Sequence, residues 1–331
     1  MAEPKQRGAG PWVVTGGAVA LAVVHTAFPD LEIDGVTLAL LAVAALPWLA
    51  PLLTSIELPG GFKFQLREVQ RKLEEKSQQV ETLATRVDEV ERFVQFAGTA
   101  DQPLQDALDT ALRRFHEYLV AAGAVLDSPP PRVEVGRTDA NAEFYVPDNA
   151  FYDGARGCIV LGEQLADDPD VALREYTHHV LRSLAPSLAG TWDEGGMAAA
   201  VWSGIADYLP CSFKGDPHLA PAAARRAYGQ PFIRDLTNRR SYPLPAEQLG
   251  PQQAGEVWGA LFWDARALAG QAPADRAVLA AWVALGDASD HGDKAAPAAM
   301  LASLEQSLGA GVRPLFEQRG LARRRRAPSG G

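Results

Sequence analysis

Cysteine is scarce: Cys158 and Cys211 are the only two in 331 residues, and no C-x-x-C pair occurs. That excludes a disulfide framework, fits a reducing compartment, and leaves buried structural thiols as the default reading of both. Surplus positive charge is missing as well. Lys and Arg number 31 against 41 Asp and Glu, a formal charge of −10, so most of the surface would repel a polyanion and no nucleic-acid partner is expected. Nucleotide-binding glycine patterns are absent, since "GTWDEGGMA" lacks both a Lys-Ser/Thr pair and a strand-turn-helix setting. No G-x-S-x-G elbow surrounds Ser203, which leaves nucleophilic catalysis without support.

Charge is also absent from two long runs. Residues 11–28 and 35–56 contain no Asp, Glu, Lys or Arg, and each approaches the roughly 20 apolar residues that cross a bilayer as a helix. Only "PDLEID" separates them, which favours a helical hairpin over a cleaved signal peptide. Trp12 and Trp48 suit the interfaces, and Pro47 and Pro51 would kink the second span. Lys5 and Arg7 precede the hairpin and Lys63, Arg67, Arg71 and Lys72 follow it, while its loop holds Asp30, Glu32 and Asp34. The positive-inside rule therefore predicts a two-span anchor over 1–57 in an inner or plasma membrane, with both termini and the globular domain cytoplasmic.

Proline and internal glycine are missing from residues 62–97. Leu66, Val69, Leu73, Lys76, Val80, Leu83, Val87, Val90, Val94 and Ala97 keep the three-and-four spacing of a heptad seam, broken only by Lys76. The pattern predicts a coiled-coil stalk over 62–97, roughly 54 Å long, and a homo-oligomer; the alternative is a helix folded back on its neighbour. A linking helix is expected over 101–127, where His116 reads as a surface or half-buried residue. "DSPPPR" then opens a globular domain over 130–322, with short strands at "RVEVG", "AEFYV" and "GCIVLGE" and helices from Pro169 onward. Residues 323–331 read as a disordered basic tail whose Arg323 to Arg326 could touch anionic lipid. The fold class is thus mostly α: a transmembrane hairpin, a long coiled-coil helix, then an α+β domain dominated by helices with a small sheet.

Within that domain, "DDPDVALREYTHHVL" places Arg174, Glu175 and His178 where a His-Glu-x-x-His motif has its first ligand, general base and second ligand. "WSGIADYLP" follows about 25 residues on, with Ser203 ahead of Gly204, Ile205, Ala206, Asp207 and Tyr208. "PQQAGEVWGALFWDAR" comes third, with Gln252 ahead of Gly255, Val257 and Trp258. In this order the three stretches resemble the gluzincin metallopeptidases, the thermolysin-like and fungalysin-like group. The resemblance implies a zincin-like fold with zinc as cofactor, a third ligand at position 203, and an oxyanion-steadying histidine at position 252.

The chain departs from that pattern at each ligand but one. Arg174 stays protonated at any working pH and would repel a dication; Ser203 is a poor neutral ligand; Gln252 replaces the histidine. Catalytic zinc needs three protein ligands and an open position, and only His178 keeps a ligand type. Neighbouring His179 points about 100° away on a helix. The sequence therefore predicts a pseudopeptidase with no metal and no cofactor, in which Glu175 keeps its place without its use. Arg174 is expected to fill the ion's position and pair with Glu175, Asp207 or Glu194. Trp258, Phe262 and Trp263 are read as core. The predicted function is binding of an unknown peptide or protein, or scaffolding; the alternatives are a membrane-anchored zinc peptidase with ligands rebuilt around His178, and a coiled-coil scaffold whose domain uses no cleft.

Overall fold

Asp101 starts the first helix. Its carboxylate accepts the Leu104 N–H at 3.0 Å and Pro103 lies in the first turn, so α1 runs Gln102–Ala121. A computed structural model describes residues 92–191, 195–245 and 250–323, within a unit whose boundary falls between Arg86 and Val87. Leu108, Leu112, Phe115 and Leu119 form one fully buried face of α1, each worth about 1.5–3 kcal/mol of burial. This helix is part of the core, not a linker.

Three parallel strands and one antiparallel strand make the main sheet. β1 (Phe96–Gly98), β2 (Arg132–Val135), β3 (Ala150–Asp153) and β4 (Cys158–Leu161) lie in the order β1-β2-β4-β3. β4 is buried along its whole length, as a central strand covered on both faces must be. β3 runs antiparallel to it with Tyr152 opposite Ile159 and forms an edge. Gly98, at φ 96°, closes β1 against β2; a Cβ there would fall 1.9 Å from the Val135 carbonyl oxygen, so only glycine fits.

The site sits on α2 (Pro169–Leu184), α3 (Gly196–Lys214) and α5 (Pro251–Ala269). Asp168 caps α2 by accepting the Asp170 N–H at 3.2 Å, and its other oxygen accepts the Ala222 and Ala223 N–H groups at 2.8 and 3.0 Å. It therefore also caps α4 (Pro221–Tyr228). α3 and α5 approach closely through small residues. A Cβ on Gly204 would meet Trp258 Cβ at 2.4 Å, and one on Gly255 would meet Ser203 Cβ at 2.6 Å. A two-stranded ribbon, β5 (His218–Leu219) with β6 (Arg234–Asp235), packs beside this pair. The remaining helices are α6 (Gln271–Gly286), α7 (Ala295–Leu308) and α8 (Arg313–Gln318). Trp258, Trp282 and Phe262 are fully buried and Trp263 partly so. Asp275, buried on α6, accepts hydroxyls from Tyr208 at 2.6 Å, Ser212 at 2.8 Å and Tyr118, joining α1, α3 and α6.

Several expectations need correction. No helix among the described residues is long and apolar enough to cross a membrane; α1, the longest, carries Asp106, Asp109, Arg113, Arg114 and Glu117. The stretches 11–28 and 35–56 lie outside the described residues, and the transmembrane hairpin, the membrane as partner, and the cytoplasmic placement built on it are withdrawn. The stalk helix does not extend to 97. Residues 96–98 are strand, and Val94 is buried with its N–H on Asp109 Oδ1 at 2.9 Å; residues 62–91 lie outside the described residues. The globular unit takes in α1 and β1 and so starts well before residue 130. "AEFYV" is a turn, not a strand: Asn141 Oδ1 accepts the Thr138 N–H at 2.8 Å and Asn141 O accepts those of Phe144 and Tyr145. The strand lies further on, at Ala150–Asp153. Residues 324–331, which hold most of the basic tail, are outside the described residues.

Candidate functional site: a buried ion-pair chain

Helical spacing puts Arg174 and His178 one turn apart on α2. Arg174 Nε donates to Asp207 Oδ1 at 2.8 Å, and Nη1 donates to Glu175 Oε1 at 2.7 Å. Both carboxylates are buried, Asp207 completely. Burial alone would lower the pKa of Arg174, but the charges of Asp207 and Glu175 outweigh it and the net shift is upward. The cation is therefore fixed, and two acids that would be very costly to bury alone are neutralised.

The chain of charges continues outward. Asp207 Oδ2 lies 3.4 Å from Arg234 Nε on β6, which lies 4.0 Å from Glu256 Oε1 on α5. Glu256 Oε2 is 3.2 Å from Arg240 Nε. Three cations and three anions thus alternate from Glu175 at the inside to Arg240 at the surface, and the six formal charges cancel.

Glu175 is occupied from two sides. Besides Arg174, the backbone N–H of Tyr152 on the edge strand β3 favours its charged form. Burial pushes its pKa up, against the pull of Arg174 and of that N–H. A general base needs a lone pair aimed at a water or substrate proton, and this carboxylate is buried with Oε1 held by Arg174.

His178 is buried with its ring 6.0 Å from that of Trp202. Burial, then the Arg174 charge, hold its pKa well below the ordinary value. His179 faces elsewhere: its Nδ1 is 3.1 Å from the Tyr152 hydroxyl. His116 Nδ1 lies 2.7 Å from the Tyr176 hydroxyl, half-buried. Ser203 is fully buried at the α3–α5 contact, and its Oγ has no hydrogen-bond partner among the described residues. Gln252 is exposed on the first turn of α5 and joins none of these pairs. Glu194 and Asp193 lie outside the described residues, and His218 is stacked on Phe232 at 4.6 Å beside Asp216. Cys158 and Cys211 are both buried free thiols, with burial pushing Cys158 up to about 11.

The structure therefore brings Arg174, Glu175 and Asp207 together and leaves Gln252 apart. Sequence reasoning missed Arg234, Glu256 and Arg240. Glu256 could have been noticed as a carboxylate inside the small-residue run "AGEVWGA", one turn after Gln252. Arg234 and Arg240 carry no local signal, because a two-residue strand and a loop deliver them. Among the described residues no group of three or more His, Cys, Asp or Glu could hold a metal ion. The donor set at the resemblance's ligand positions, one imidazole beside a guanidinium and a serine hydroxyl, does not fit zinc. Neither the family models nor the curated proteins yield a match to this chain.

Proposed function

We propose that the globular unit is a zincin-like module without hydrolytic activity, in which a chain of ion pairs stands where a metal centre would be, and that it works by binding a peptide or protein segment. The observation that carries this reading is the pairing of Arg174 with Asp207 at 2.8 Å and with Glu175 at 2.7 Å. A dication at this place would have to displace a guanidinium that two buried carboxylates hold. Glu175 is buried with Oε1 held by the Arg174 guanidinium, which opposes its use as a base toward water. The resemblance of the three sequence stretches supports the zincin-like assignment, and the mixed sheet with an antiparallel edge strand beside α2 is compatible with it.

The test is a casein digestion assay of the full chain with and without added zinc, run beside the variant R174H/S203E. The reading predicts intact casein with the unaltered chain under both conditions. The variant supplies the missing imidazole and carboxylate and is expected to bind about one zinc per chain. Zinc-dependent cleavage by the unaltered chain overturns the loss of hydrolysis. A folded variant that takes up no zinc overturns the zincin-like geometry.

A further inference from the structure

Away from the ion-pair chain, three helices leave a space that none of them fills. A groove of about 260 Å³ opens where Leu184, the last residue of α2, and Gly123, in the turn after α1, face one side of α6. It lies roughly 15 Å from Arg174 along the α2 axis, at 1.5 Å per residue. Arg276, Leu279, Ala280 and Val283 recur at three-and-four spacing, which puts them on one stripe of α6. Leu279 is buried, Leu184 and Val283 are half-buried and Ala280 is exposed, so the floor is core and the mouth meets water. A Cβ on Gly123 would meet nothing within 4 Å; the turn leaves room there. An apolar cavity of about 150 Å³ already takes up benzene, so this volume suits a chain of roughly eight carbons.

One charge faces that apolar space. Arg276 is the single ionisable residue among those lining the groove, is exposed, and makes no hydrogen bond or ion pair with another described residue. No acid among the described residues lines the groove, so the planar fork of donors on Arg276 is open to a carboxylate from outside. Apolar walls beside one cation are complementary to a molecule with an alkyl body and an anionic head, which buries methylenes without burying its charge. An alkylammonium would be repelled. A peptide backbone would bring N–H donors to lining side chains that offer no acceptor.

We infer that this groove binds an aliphatic monocarboxylate of medium chain length, its carboxylate on Arg276 and its methylenes along Leu184, Leu279 and Val283. The ligand shares no residue with Arg174, Glu175 and Asp207, so its binding is independent of whether the chain hydrolyses peptides.

Calorimetric titration of the full chain with hexanoate, octanoate and 1-octanol tests it. Each methylene that enters the groove strengthens binding roughly threefold to fourfold, so octanoate is expected to bind on the order of tenfold more tightly than hexanoate. R276Q is expected to weaken octanoate roughly fivefold, the upper worth of a solvent-exposed ion pair, and to leave 1-octanol unchanged. A280W fills the groove from an exposed helix position and is expected to weaken both ligands at least about tenfold. Both replaced side chains are exposed, so an unchanged melting temperature is expected for each variant, which separates lost binding from lost folding. No binding of octanoate, or binding that A280W leaves intact, overturns the site. Octanoate no tighter than hexanoate overturns the alkyl chain as what the groove holds. An R276Q variant that weakens octanoate and 1-octanol equally, or neither, overturns the carboxylate as the head group.

Discussion

Replacing Asp207 by Asn is the most demanding perturbation of the buried chain. The carboxylate is fully buried, receives Arg174 Nε at 2.8 Å and has Arg234 Nε at 3.4 Å. Asn keeps the volume, so no cavity forms and the loss is electrostatic. Two guanidinium groups, each less than a fifth exposed, would then face one another with Glu175 and the distant Glu256 as the remaining anions. Breaking a buried pair in this way costs about 3–5 kcal/mol, because the stranded charge stays desolvated. For a domain of this size that corresponds to a melting temperature lower by roughly 10 °C. Urea denaturation should show the loss as a lower midpoint with an unchanged slope. The companion variant Glu256→Gln, nearer the surface, should cost about 1 kcal/mol or less. A loss below about 1 kcal/mol for Asp207→Asn would refute the reasoning, since a solvated pair behaves that way and a buried one does not.

Three further outcomes are expected. Gly204→Ala puts a methyl 2.4 Å from Trp258 Cβ and 2.9 Å from the Gly255 carbonyl oxygen; neither can swing aside, so α3 and α5 must part at a cost of about 3 kcal/mol, read as a lower urea midpoint. Asp275→Asn replaces one acceptor oxygen by a donor facing the Tyr118, Tyr208 and Ser212 hydroxyls, and should destabilise by about 1–3 kcal/mol in the same assay. Burial, then the charge of His116, lower His179 from 6.5 to about 4. The unfolded chain takes up that proton first as pH falls, so stability present above pH 6.5 drains away down to about pH 4, by roughly 3 kcal/mol. His116 and His178 shift in the same direction. His179→Gln should flatten the profile, and an unchanged slope would show that this histidine is not buried neutral.

The sequence was legible where one residue's chemistry acts locally. Asp168 before an apolar-periodic run marks the start of α2, and the β-branched run at 159–160 marks β4. The pairing of Arg174 with nearby acids follows from the cost of burying any of them alone. What could not be read depends on distant chain. The stalk seam ran on through Val94 and Ala97 because a heptad and a core-packed segment leading into a short strand both place apolar residues at those positions; only the β2 partner distinguishes them. "AEFYV" looked like a strand because nothing in five residues reveals that Asn141 turns the chain back. Arg234 and Arg240 reach the site through a ribbon and a loop whose paths are set by packing against α5.

Zinc analysis of the purified full chain, dialysed first against excess zinc and then against metal-free buffer, tests the central claim most directly. Well below one zinc per chain, with R174H/S203E retaining about one, is the predicted result. A retained equivalent on the unaltered chain that is lost when His178 is replaced would contradict it, because the Arg174 guanidinium and a coordinated dication cannot share that place.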